Sequence, residues 1–118
     1  MGKTQRRKKI VDLETSIRHL RSARRQLKDI SDEELDALPP EKRKEWARLL
    51  QELSVAITRL ETADLQNLSQ EFLAKEPHLR AATTRLDEDL GQLTDAVSMI
   101  AATSAAIKTV TDIVSLLA

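Results

Sequence analysis

Residues 79–117 read LRAATTRLDEDLGQLTDAVSMIAATSAAIKTVTDIVSLL, and within them Leu79, Leu86, Leu93, Ile100, Ile107 and Val114 recur at every seventh position. Leu90 and Val97 fill the intermediate position of the same seam, which Ser104 and Thr111 then take over. An apolar period of seven belongs to a helix packed along a neighbour, because side chains on a strand change face at every residue. The stretch predicts one long helix over about residues 78–117. From Ala96 to Ala118 its only charges are Lys108 and Asp112, and Met99, Val110, Ile113 and Leu117 lie off the main stripe. A helix that is apolar nearly all round lies in a protein core, in an interface or in lipid.

Working backwards from this stretch, Pro77 reads as a helix stop and a tight reversal. A second helix is expected over about residues 41–75, with Trp46, Leu50, Leu53, Ile57, Leu60, Leu68 and Phe72 on its inward face. Asp64 interrupts that face, and the pattern resumes beyond it as a rotated seam. Upstream, Ser31-Asp32-Glu33-Glu34 is a capping box that opens a short helix over residues 32–38. Pro39-Pro40 closes that helix and starts the next. The first helix is expected over about residues 4–29, with Ile10, Leu13, Ile17, Leu20 and Leu27 along one stripe.

These pieces predict an all-α protein, an elongated antiparallel three-helix bundle with a short extra helix between helices 1 and 2, in one domain spanning residues 1–118. The composition agrees. In 118 residues there are two glycines, three prolines, one Phe, one Trp and no Tyr, too few turn formers and aromatics for a sheet-rich fold. A 41% hydrophobic and 32% charged chain is able to fold. Without cysteine it has no disulfide, thiolate metal site or cysteine nucleophile.

Charge is strongly segregated. Residues 1–28 carry ten basic residues against two acids, a net of +8, and residues 29–118 carry nine against seventeen, a net of −8. On the first helix Arg18, Arg21, Arg25 and Lys28 form a cationic face, a candidate site for an anionic ligand. It has no aromatic residue to stack on bases and matches no nucleic-acid-binding motif, so nucleic acid could be held only nonspecifically.

Chemical motifs are sparse. Gly2-Lys3-Thr4 imitates the end of a phosphate loop but lacks its upstream glycine and strand. His19 and His78 have no partner at metal-ligand spacing, and no metal or other cofactor is expected. Asp87-Glu88-Asp89 reads as a solvated face within a helix. No secretory apolar run follows the basic start, and Arg6 stands where a myristoylation signal needs Ser or Thr.

The expected protein is a cytoplasmic, non-catalytic assembly or interaction subunit. It would bind a protein partner or itself through Met99, Val110, Ile113 and Leu117, residues expected to be partly exposed. The alternative is a membrane-associated protein that uses the apolar C-terminal helix and the basic first helix. A third reading is nonspecific nucleic-acid binding through Arg18, Arg21, Arg25 and Lys28.

Overall fold

A computed structural model describes residues 11–117. The readings placed on Gly2-Lys3-Thr4, on the basic run from Lys3 to Lys9 and on Ile10 lie outside the described residues. Those residues are all-α, with no strand among them: α1 (Glu14–Lys28), α2 (Asp32–Ala37), α3 (Pro40–Glu61), α4 (Gln70–Gln92) and α5 (Ala96–Val114).

The first half follows the sequence signals. Residues 11–13 precede the first helix, and the Asp12 carboxylate accepts the Glu14 N–H at 2.9 Å, so α1 begins at Glu14 rather than running on from residue 4. Ser31 Oγ accepts the Glu34 N–H and opens the short helix α2. Leu38 and Pro39 then adopt extended backbone, and Pro40 takes the first position of α3, where its missing N–H has no helical partner to lose.

After Glu61 the chain departs from the expected two rods. Helix 2 was expected to continue past Asp64; instead the chain leaves the helix at Thr62 and turns through residues 62–69. Asp64 organises this turn, its carboxylate accepting the Gln66 N–H and the Asn67 side-chain amide. Ser69 then caps α4 by accepting the Phe72 N–H at 3.0 Å. Pro77 does not end a helix. It lies inside α4, which gives up the bond a residue-77 N–H would make to the Leu73 carbonyl.

The heptad stretch is likewise two helices. Leu93 is extended, and Asp95 starts α5 by accepting the Ser98 N–H at 2.9 Å. The restart rotates the seam, so Val97 is 49% exposed and Thr111 is also exposed. With 22 and 23 residues, α3 and α4 are each about 33–35 Å long, shorter than the 50–60 Å rods a three-helix division implies.

Four long helices therefore form the antiparallel bundle. α1 packs on α3 and α4, and α5 packs on the same two from the opposite side, barely touching α1. The antiparallel pairing of α1 and α3 is visible at its ends: Arg21 pairs with Glu61, while the Trp46 Nε1–H donates to the Leu27 carbonyl at 2.9 Å. One apolar cluster fills the ring, and Leu20, Leu27, Leu49, Leu53, Phe72, Leu79, Ile100 and Val110 are completely buried in it.

Because Pro77 is exposed, replacing it loses little packing. Pro77→Ala restores a helical hydrogen bond and should stabilise the fold by about 1–3 kcal/mol. A thermal melt should show the midpoint rising by several degrees, and an unchanged or lower midpoint would contradict a helix running through position 77.

Candidate functional site

Four stripes divide the surface of α1, and each has a different environment. Ser16, Ile17, Leu20, Ala23 and Leu27 face the core and are buried. His19, Ser22 and Gln26 line the seam with α4 and are half-buried. Arg24 enters the seam with α3, where it donates to Ser54 Oγ at 3.0 Å. Arg18, Arg21, Arg25 and Lys28 are exposed. At 3.6 residues per turn these four positions fall within about 80° of arc. Arg24, which breaks the apolar stripe in the sequence, is thus absorbed by a neighbouring helix, whereas the other four cations stay outside.

Only Arg21 of that outer stripe has an ion-pair partner among the described residues, Glu61 of α3. Arg25 and Lys28 also lie in the last turn of α1, where a cation is favoured by the helix dipole. The stripe projects from a rigid helix fastened on both sides.

The fastening on the α4 side is a polar node centred on Asp87. His19 Nδ1 lies 2.7 Å from Asp87 Oδ2, while Ser22 Oγ and Gln26 Nε2 donate to Asp87 Oδ1 at 2.7 and 2.8 Å. An ionised carboxylate can only accept, so the proton of this His19 bond sits on Nδ1. Burial pushes the Asp87 carboxyl up, but the bonds from His19, Ser22 and Gln26, with the charge His19 carries when protonated, hold it below its ordinary 3.8. Asp87 was expected on a solvated face with Glu88 and Asp89; only the latter two are exposed. Ser22 bonds the carboxylate rather than the imidazole, so this trio is not a relay in which histidine activates a hydroxyl.

A carboxyl held down in the folded state adds stability that is complete above 3.8 and is lost as the pH falls through its lower folded value. Between about pH 5 and pH 2 the native protein should therefore lose more stability than Asp87→Asn, which has no charge there to lose. Urea titrations at stepped pH measure this, and parallel curves for the two proteins would refute it.

The expected apolar site, on α5 and just beyond its end at Leu117, is interior. Met99 and Leu117 are 8% exposed, Ile113 3% and Val110 0%. Their exposure was inferred from a first helix too short to cover a long hairpin. With α4 and α5 folded against each other, α3 and α4 flank α5 and cover these positions. What α5 turns outward is chiefly Val97, Ala101, Ala105, Lys108, Thr109, Thr111 and Asp112. Exposed large apolar side chains are Val55, Leu65 and Val97, on three different elements, a scatter ordinary for a folded surface.

By length and mean hydropathy α5 could cross a membrane, and apart from Val97 its large apolar side chains are buried against the other helices. Beside it runs an open depression of about 440 Å³, lined by Arg48, Val55, Arg59, Thr111 and Val114 among others. Among the described residues no group of three or more His, Cys, Asp or Glu is placed to hold a metal ion. Comparison with protein-family models, with curated proteins and with solved structures returns no match for this chain.

Proposed function

We propose that this chain is a non-catalytic helical-bundle interaction module that binds an acidic protein surface through the outer face of α1. The observation that carries this reading is the exposure of Arg18, Arg21, Arg25 and Lys28 on one face of a helix whose other three faces are engaged. A protein partner fits this face better than nucleic acid, because the face offers no aromatic side chain for stacking and the chain carries no nucleic-acid-binding motif. It fits better than lipid because the apolar residues that would insert beside the cations are buried.

Polyglutamate is a suitable probe, since it supplies carboxylates without bases or lipid. At low salt the full chain should bind it, and the affinity should fall steeply as salt screens the contact. Arg18→Glu combined with Arg25→Glu should weaken binding at least tenfold while leaving the helical circular dichroism unchanged. Arg18 and Arg25 are chosen because neither makes an ion pair among the described residues, whereas changing Arg21 would also break its pair with Glu61. Absence of binding at low salt by a chain that is monomeric there, or binding indifferent to the double change, would overturn the proposal.

A further inference from the structure

Resting on the reading of α1 as the binding face, we infer that its acidic partner is the segment Asp29–Asp36 of a second copy of this chain, the two copies docking about a two-fold axis. The segment carries Asp29, Asp32, Glu33, Glu34 and Asp36 and no cation, all five carboxylates are exposed, and none has an ion-pair partner among the described residues. It is also held in place. Ile30 and Leu38 are 7% and 8% exposed and anchor both ends in the core, and the Ser31 cap orders the helix between them. A face that is already ordered loses little conformational freedom on docking.

The order of charge along the chain then selects the partner. Cations at positions 18, 21, 25 and 28 cover about 15 Å of α1, and the acids begin at the next residue. Within one copy the two blocks cannot close on each other, because α1 is a continuous helix and the acidic segment is pinned to the core at Ile30 and Leu38. A second copy turned through 180° about an axis near the Lys28–Asp29 junction presents the blocks in reverse order. Each cationic stripe then meets the other copy's acids, and the contact is made twice. Displacing a copy along the edge without turning it would pair only one cationic stripe with one acidic segment and leave the other two blocks unmatched, half the contact that the two-fold makes. The formal net charge of +0 means that no long-range repulsion opposes the approach of two copies.

Light scattering on the full chain tests this through molar mass. At about 0.01 M salt, where the screening length is about 30 Å, the mass should be twice the 13.3 kDa of one chain; near 1 M, where it is about 3 Å, it should fall to one chain. Arg18→Glu with Arg25→Glu should be monomeric at low salt. So should Asp29→Lys with Asp36→Lys, two reversals that place cations at helix C-terminal ends, where the backbone tolerates them. Circular dichroism checks that both variants keep the native helix content.

The decisive sample is the equimolar mixture of the two variants. The first variant keeps its full acidic segment and the second its full cationic stripe, so one of the two contacts is re-formed between unlike chains and the doubled mass should return at the lowest salt, though it should be lost at less salt than in the native chain. A mixture that stays monomeric overturns the inference, as does a native dimer that survives either reversal. A native chain that is monomeric at low salt yet binds polyglutamate through Arg18 and Arg25 overturns the second copy as partner and leaves the binding face standing. A chain that is monomeric and indifferent to polyglutamate loses both. A monomer that instead sediments with vesicles of anionic phospholipid, and not with neutral ones, overturns the protein partner in favour of lipid.

Discussion

Serine at both Val110 and Ile113 will unfold the bundle rather than release a partner from it. The two side chains are 0% and 3% exposed, and they belong to the one cluster that all four long helices share. Truncating a buried aliphatic residue of this size costs about 2–4 kcal/mol through lost transfer energy and the cavity left behind. A hydroxyl placed there adds desolvation unless it finds an acceptor, although in a helix it can turn back to the carbonyl four residues earlier. Thr103 does so, donating to the Met99 carbonyl at 2.9 Å from a fully buried position. The two changes together should remove about 4–8 kcal/mol, comparable with the roughly 5–15 kcal/mol that holds a domain folded. Urea denaturation followed by circular dichroism should find the double variant largely unfolded before denaturant is added. Val55→Ser with Val97→Ser, about half exposed on α3 and α5, is the control and should shift stability by less than about 1 kcal/mol. A double core variant as stable as that control would mean that α5 has an open face after all.

The same residues show where sequence reading reached and where it stopped. A capping box and a double proline are local signals, and both mark real boundaries at α2 and α3 because the chemistry of a cap involves neighbours in sequence. A seven-residue spacing is not local in that sense. Leu79 and Leu86 sit on α4 and Ile100, Ile107 and Val114 on α5, two helices running in opposite directions, yet the count of seven passes unbroken across the turn at Leu93–Asp95. The turn is so short that the inward positions resume in step by coincidence. The clue was Asp95 three residues before Ser98, the same cap geometry that Ser31 announces, but set in a stretch whose periodicity argued against a break. Pro77 erred in the opposite sense, since a proline on an exposed position can be carried inside a helix that tertiary packing holds. The cationic stripe was legible because four residues on one helix need only a period of 3.6 to be placed together. Its exposure was not, and neither was the burial of the α5 residues, since both depend on which helices stand beside them.

Removing the Asp87 carboxylate should cost more than any other single change in the polar seam, and nothing local in the sequence announced it. The residues it joins lie 61 to 68 positions away, and only the register of α1 against α4 brings them within hydrogen-bond reach. Asp87→Ala leaves the His19 imidazole, the Ser22 hydroxyl and the Gln26 amide in a half-buried seam without their common acceptor. A hydrogen bond to a charged group contributes about 1.5–3 kcal/mol net, but these donors are near enough to solvent for water to replace part of the loss. The expected decrease is therefore about 2–3 kcal/mol in all, well short of three full bonds. His19→Ala should cost less, because Asp87 keeps two of its donors. The double variant should fall short of the sum of the two single losses by about 0.5–2 kcal/mol, the signature of two groups that act on each other. Urea unfolding of the four proteins at one pH gives that coupling directly. Additive losses would show that His19 and Asp87 stabilise α1 independently, and the node would then not be the fastening that presents the cationic face.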